Sequence, residues 1–463
     1  MNRDRSGSSR RLGTKLPVSR RLPATIVVCI LALAAASLTA RAALPAKSPR
    51  ATPAATKRPQ HKWAPVRHKR VRHKKPVHHK KPVRHKKPWP GTTSAKGPPP
   101  TGPSPAAFNR ESYGYVSTLS PRAEANRYGV MVLESTDASW VPILHAANPH
   151  LKLLVYQDIE RASAGDPQRC TDVTGDLRNH PDWFLKSSAG QPVYTAAVPP
   201  NAPASYHMDI GQRGYQQACV ADGIALAKRD GFDGIFMDGL DGRMGYQFGH
   251  LSVPTVPKYP TDAAWQASMY SFLQYAGPTI RSAGLLAFGN IGGAQLALWS
   301  RWNGPLDGAE EEAWSDGGSG LAAWLWWWHQ QLANAAWSAA HGKYELLHSH
   351  NTTEAGNRYG LASMLLVAGG RATYSTSNAN YSRDESWYPE YGTAVALGAP
   401  YGPYHRRTGG VYERDFAHGI VLVNASLATI PRFSLGASYS GVGLSHVKSV
   451  SMAPTSALIM TAG

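Results

Sequence analysis

From about residue 110 onward, short apolar runs alternate with longer amphipathic stretches. Runs of four to eight apolar residues bounded by glycine or polar turns predict buried strands. The clearest is Gly234-Ile235-Phe236-Met237, with Gly231 closing the helical pattern before it and Asp238-Gly239 after it. By the same reading, strands are expected at Tyr113–Ser117, Gly129–Glu134, Leu151–Tyr156 (ending in Gln157-Asp158), Gly234–Asp238, Leu285–Asn290, Gly308–Glu312, Tyr344–His348 and Ala372–Ser375. Between the fourth and fifth, Trp265, Met269, Phe272, Leu273 and Ala276 recur at helical spacing, with Thr261 or Asp262 placed to cap. Tyr359 to Ala368 predicts another helix, stopped by Gly369-Gly370. Eight strands alternating with helices predict an α/β fold, a (β/α)8 TIM barrel. A doubly wound open sheet is the alternative, but no G-x-G-x-x-G loop follows the first strand.

The pattern changes near Gly409. Val411–Phe416 and Gly419–Asn424 flank Ala417-His418, and the tail ends in Ser456-Ala457-Leu458-Ile459-Met460, which predicts a small C-terminal antiparallel β domain. The expected division is a signal peptide over 1–42, a disordered Lys/His/Pro-rich linker over 43–107, the barrel over 108–405 and the β domain over 406–463.

Charge separates the front of the chain from the rest. Residues 1–110 carry 26 Lys and Arg against a single acid, Asp4, which leaves 23 basic and 29 acidic residues for the remainder. The net charge of +19 therefore belongs to the arm, and the mildly acidic body argues against a nucleic-acid partner. Arginines precede the apolar run Ala24–Thr39, and Ala40-Arg41-Ala42 resembles a cleavage site, so a secreted or cell-surface protein without a stable membrane span after processing is expected. The linker repeats in sixes, as in Arg72-His73-Lys74-Lys75-Pro76-Val77 and His78-His79-Lys80-Lys81-Pro82-Val83. Like charges and prolines keep such a segment extended. It reads either as a solvated spacer or as a polycation that holds an anionic cell-wall or surface polymer. Once the leader and its Cys29 are removed, Cys170 and Cys219 remain, which suggests one disulfide in an exported protein.

Polar groups collect at the expected strand ends: Glu134, Asp158, Asp238, Asn290, Glu312, His348 with His350, and Asn378. That edge of a barrel is where active sites form. Asp233-Gly234-x-x-x-Asp238 and Asp307-Gly308-x-x-x-Glu312 have matching spacing, so two strands should end in carboxylates at one height. Paired carboxylates are what glycosidic cleavage needs: one protonates the leaving oxygen, the other attacks the anomeric carbon or activates water. Asp238 and Glu312 are the expected catalytic pair. Glu310 should face the same side one layer deeper, where its charge would favour a protonated Glu312, and Glu311 should point to the helices, with a register shift leaving Glu311 as second choice. Tyr156, Asp158, Asn290, Trp314, His348, His350 and Glu310 are the candidate substrate contacts, alongside Tyr206, Tyr246 and Tyr374. The run Trp324–Trp328 reads as helix-to-barrel packing. No cofactor and no metal are expected.

Gly231 to Gly242, Gly308 to Trp314 and the stretch Asn148–Tyr156 resemble the hypothetical glycosyl-hydrolase-like barrels numbered family fifteen, with G-F-D-G-[IV]-F-x-D the most specific motif. The chain is more distantly similar to the endo-α-1,4-polygalactosaminidase-like barrels. The resemblance covers roughly Tyr113 to Asn424. It implies a (β/α)8 barrel, an exported glycoside hydrolase, and acids on strands four and six at Asp238 and Glu312. The rivals are a non-catalytic cell-surface polysaccharide-binding barrel and a metal-dependent hydrolase using Asp158, Asp238 and His350, which lack a tight ligand motif.

Overall fold

The computed structural model describes residues 100–463 except 103, 113–114, 116, 118, 165–169, 171–172, 196–204, 244–255, 317–320 and 378–386. The expected leader and the linker repeats lie outside the described residues, as do Tyr246 and Asn378. Everything described falls in one compact unit, Ala95–Gly463.

In chain order the elements are β1 (Asn109–Ser112), α1 (Pro121–Ala125), β2 (Val130–Leu133), α2 (Val141–Ala147), β3 (Lys152–Asp158), β4 (Arg161–Ser163), α3 (Val173–Asn179), β5 (Tyr194–Thr195), β6 (Ser205–His207), α4 (Arg213–Asp230), β7 (Gly234–Asp238), α5 (Asp262–Ser282), β8 (Leu286–Asn290), α6 (Leu296–Asn303), β9 (Gly308–Glu311), α7 (Leu321–Ala340), β10 (Tyr344–Ser349), α8 (Glu354–Val367), β11 (Ala372–Thr376) and α9 (Pro389–Ala396). A second sheet follows: β12 (His405–Arg406), β13 (Tyr412–Phe416), β14 (Gly419–Asn424), β15 (Ile430–Gly441), β16 (Leu444–Met452) and β17 (Ser456–Ala462).

Eight strands pair in the order β1-β2-β3-β7-β8-β9-β10-β11, each neighbour parallel. A parallel bridge between Phe108 and Tyr374 brings the last strand back to the first, and the Tyr374 N–H donates to the Ala107 carbonyl at 3.0 Å. The result is a (β/α)8 barrel. Its strands are buried on both sides, and the two-residue period separates the faces. Val130, Val132, Leu154, Tyr156, Phe236, Phe288 and Leu346 fill the interior. Met131, Leu133, Leu153, Val155, Ile235, Met237, Ala287, Ala309 and Leu347 pack outward with the helices.

One expectation is corrected at the first strand. It runs Asn109–Ser112, N-terminal to the expected Tyr113–Ser117, and pairs Asn109 with Val130 through Ser112 with Leu133. Asn109, Arg110 and Glu111 are buried all the same. A polar strand of this kind has no apolar run to reveal it.

The helices follow their patterns closely. Thr261 caps α5 by accepting from the Ala264 N–H at 3.2 Å, and Trp265, Met269, Phe272, Leu273 and Ala276 are fully buried along its inner face. At roughly 1.5–3 kcal/mol for each large apolar side chain removed from water, this face is what docks the helix. α4 ends at Gly231, whose φ of 79° is left-handed and whose N–H caps the Ala227 carbonyl; that conformation favours glycine. Between β3 and α4 the chain builds a three-stranded antiparallel sheet in the order β4-β6-β5. Cys170 and Cys219 are joined, with Cα atoms 4.6 Å apart, so this excursion is tied to α4.

The second sheet is antiparallel in the order β12-β13-β14-β17-β15-β16 and has its own core around Val411, Ile420, Leu422, Phe433 and Met460. Arg414 anchors it to the barrel by donating through Nη1 to the Leu365 and Ala368 carbonyls, at 2.8 and 3.1 Å, at the C-terminal end of α8. Trp328 is buried beside Tyr359 and Tyr412, with its indole N–H on Ser363 Oγ at 2.8 Å. From the Trp324–Trp328 run it is therefore helix packing, whereas Trp326 is half exposed.

Candidate active site

Inward-facing positions at the C-terminal ends of neighbouring strands converge on one cleft of about 460 Å³, lined by Asp238, Asn290, Glu312, Arg161, Asp241, Arg243, His350 and the glycines 239, 292 and 293 among others. Asp238 is the last residue of β7 and stands opposite Asp158. The chain must leave the sheet immediately afterwards. Gly239 does this with a φ of 85°, and a side chain there would meet Glu160 Cβ at 2.7 Å. Glu312 follows the last residue of β9 and opens to solvent, with 42% of its side chain exposed.

Asn290, at the end of β8 between them, links the two acids. Its Oδ1 accepts the Gly292 N–H at 3.1 Å, which turns the amide NH2 toward the cleft. That nitrogen donates to Asp238 Oδ1 at 3.1 Å and to Glu312 Oε2 at 2.9 Å. Tyr156 adds a second donor, its hydroxyl lying 2.5 Å from Asp238 Oδ2. His350 Nε2 stands 3.9 Å from Glu312 Oε1. Its turn is held by Asp316, which accepts from Ser349 Oγ and the His350 N–H, both at 2.6 Å; burial pushes the Asp316 carboxyl up, against the pull of those donors.

The three consecutive glutamates separate by the strand period. Glu310 points into the barrel and is almost wholly buried. Glu311 points out to the helices, where its Oε1 accepts from Gln331 Nε2 and from the Gly293 N–H, each at 3.2 Å. Burial pushes Glu311 up to about 7. Glu312 alone opens to the cleft. Gln331 also accepts the Ser315 N–H at 3.0 Å and donates to the Ala313 carbonyl at 2.8 Å, which fixes the loop after β9. Ser315 there holds a φ of 63°, a left-handed conformation costing of order 1–3 kcal/mol for a non-glycine residue.

Several expected contacts stand elsewhere. Trp314 is fully buried and donates its indole N–H to the Gly360 carbonyl at 2.8 Å; it packs the core and offers no face to a sugar. Asp158 is also fully buried. It accepts the Glu160 and Arg161 N–H groups and Arg161 Nε, all at 3.0 Å, and so serves the cleft by placing Arg161. Asp158, Asp238 and His350 form no ligand-spaced cluster among the described residues. Tyr374 is a buried ring bonded to the Asn357 carbonyl. His348 lies one layer below His350, between Ser375 Oγ at 2.7 Å and Ser377 Oγ at 3.0 Å, and burial holds it well below the usual imidazole range.

Glu310 shares that deeper layer with Glu111 of β1, a residue hidden from pattern reading by its polar strand. Burial pushes Glu111 up to about 7. It pushes Glu310 well above the usual range too, with repulsion from Glu111 next. Arg161, Arg243 and Asp241 are the other cleft residues that pattern reading missed, because Arg161 opens the three-residue strand β4 and the other two sit in the loop after β7, where there is no periodic signal.

The sequence profile of hypothetical glycosyl hydrolase family 15 matches residues 145–420. No curated protein sequence matches the chain. Among solved structures, the chain is similar to a maltogenic α-amylase from Thermotoga neapolitana, at 10% identity over 77% of this chain and 96% of that one, with a TM-score of 0.43. It is similar to an α-amylase from Malbranchea cinnamomea, at 12% identity over 77% and 96%, with a TM-score of 0.43. An α-galactosidase from Geobacillus stearothermophilus aligns at 11% identity over 77% of this chain and 55% of that one, with a TM-score of 0.42.

Proposed function

The chain belongs to hypothetical glycosyl hydrolase family 15, and from that premise and the cleft we propose that it hydrolyses O-glycosidic bonds of a polysaccharide with Asp238 and Glu312 as the reacting pair. The observation that carries this reading is the Asn290 amide nitrogen, 3.1 Å from one acid and 2.9 Å from the other. Two bonds to one nitrogen keep those oxygens closer than the roughly 6.5–9.5 Å that an inverting pair leaves for its water, and nearer the roughly 5–5.5 Å of a retaining pair.

In this mechanism Asp238 attacks the anomeric carbon while Glu312 gives its proton to the departing oxygen. The C–O bond to the leaving sugar breaks as the bond to Asp238 forms. Glu312, now a carboxylate, takes a proton from water, and the hydroxide so formed displaces Asp238 with retention. Tyr156 and Asn290 are positioning residues that aim the Asp238 carboxylate. A binding-only barrel has less support, because the described cleft lining carries no aromatic platform. We propose further that the basic arm of 43–107 retains the exported protein on an anionic surface polymer. Removing the arm should leave turnover intact and abolish salt-sensitive retention.

The test is a screen of bacterial and fungal polysaccharides for released reducing ends, repeated with Asp238→Asn. Release by the wild type that the variant lacks supports the reading; equal release by both overturns it.

A further inference from the structure

We propose that Glu111, Glu310 and His348 form a binding site for one divalent transition-metal ion inside the barrel, below the cleft. The three residues come from β9 and β10, which are neighbours in the sheet, and from β1, which is distant in the chain and joins them where the sheet closes. One ligand atom from each lies within 4.8 Å of the others, and all three residues are buried. His348 Nδ1 is 4.0 Å from Glu111 Oε1. Bonds of about 2.0–2.2 Å at tetrahedral angles put ligand atoms roughly 3.4 Å apart, so the side chains would draw in by about 1 Å on an ion.

A second observation points at a ligand. Neither oxygen of Glu310, nor Oε1 of Glu111, accepts a hydrogen bond from any other described donor. Buried carboxylates are ordinarily paired, because an unpaired buried charge is among the costliest arrangements in a fold. The neighbouring cation does not serve: Arg110 binds Glu124. One proton shared between Glu111 and Glu310 would relieve one charge; a divalent ion relieves both.

The imidazole is arranged as ligand histidines are. Its Nε2 meets Ser377 Oγ at 3.0 Å, the outer partner that fixes a ring and its tautomer. Its Nδ1 faces Ser375 Oγ at 2.7 Å. That hydroxyl also accepts from Asn109 Nδ2 at 3.0 Å, so it has a partner when the ion takes Nδ1. Two carboxylates with one imidazole suit zinc, manganese or iron. Calcium and magnesium want more oxygen ligands than this cluster supplies.

The experiment uses the full chain, with Zn2+ and Mn2+ as the probes. The wild type and Glu310→Gln are loaded, dialysed and analysed for metal, and their melting temperatures are measured with and without each ion. Histidines of the basic arm are common to both proteins, so only the difference counts. The wild type should keep one equivalent more than the variant and should melt higher with the ion present, as any ligand selective for the native state requires. Equal metal content and equal melting shifts would overturn the site. Should Glu310→Gln not fold, Glu111→Gln replaces it. X-ray absorption on wild type carrying about half an equivalent of zinc is the independent reading, bond lengths being diagnostic. A shell of carboxylate oxygens with a single imidazole supports the site; a shell of several imidazoles overturns it.

Discussion

The barrel interior holds two layers of acids that differ in one respect. In the upper layer, Asp238 and Glu312 accept hydrogen bonds from Tyr156 and Asn290 and face the cleft. In the lower layer, Glu111 and Glu310 are closed off from solvent, and no other described donor reaches Glu310. Both layers use the same chemical group, and β9 contributes to each, with β7 completing the upper pair and β1 the lower one. Donors and an opening to the cleft leave the upper pair accessible, while burial drives the lower pair toward neutrality or, as proposed, toward a cation. Strand β9 compresses the lesson into three residues, with Glu310 in the lower layer, Glu311 among the helices and Glu312 in the upper one.

The sharpest way to break this comparison is to exchange single acids on β9. Glu312→Gln should lose roughly 10²–10⁴-fold in kcat, the usual share of acid–base assistance, while Glu311→Gln keeps near-normal turnover. The opposite pattern, measured on one glycan with both variants checked by circular dichroism, would move the active carboxyl out of the upper layer. A smaller effect, about 10²-fold, is expected for Asn290→Ala, which leaves both acids but removes the group that holds their spacing. Unchanged kinetics there would deprive the Asn290 bridge of a role. Trp314→Phe should cost about 1–3 kcal/mol of stability through the lost indole hydrogen bond and the space the smaller ring leaves, while leaving KM unchanged. A raised KM with intact melting would return Trp314 to the sugar.

The smallest effect concerns an acid outside both layers. Glu345, on β10, is pushed well above the usual carboxylate range by burial and then by Glu311. A raised folded value means the native state holds this proton more tightly than the unfolded chain does. Its stabilising contribution is therefore complete below the unfolded value and is lost as pH rises through the folded one. Glu345→Gln should melt above wild type at pH 8, with an advantage that shrinks toward pH 5. Parallel melting curves across that range would contradict the assignment.

How much of this was legible follows from what each residue faces. The Gly234–Asp238 strand was plain because its apolar side chains meet apolar neighbours and glycines bound it. The alternation along β9 correctly separated Glu310, Glu311 and Glu312. Strand β1 was not legible: Asn109 and Glu111 answer to Ser375 and His348 on distant strands and Arg110 to Glu124 on α1, and no periodic pattern encodes those. Trp314 looked like a sugar platform from its place after a strand, but the left-handed turn at Ser315 and the grip of buried Gln331 fold that loop back onto α7. Asp158 was rightly placed at a strand end, yet it is occupied in holding Arg161.

Asp238→Asn, assayed on the glycan found by screening with and without sodium azide, addresses the two-carboxylate reading most directly. A loss of at least ~10²-fold is expected without azide, and partial recovery with it as a glycosyl azide, because a small anion can stand where the carboxylate attacked. Near-normal turnover by Asp238→Asn in the absence of azide would contradict that reading.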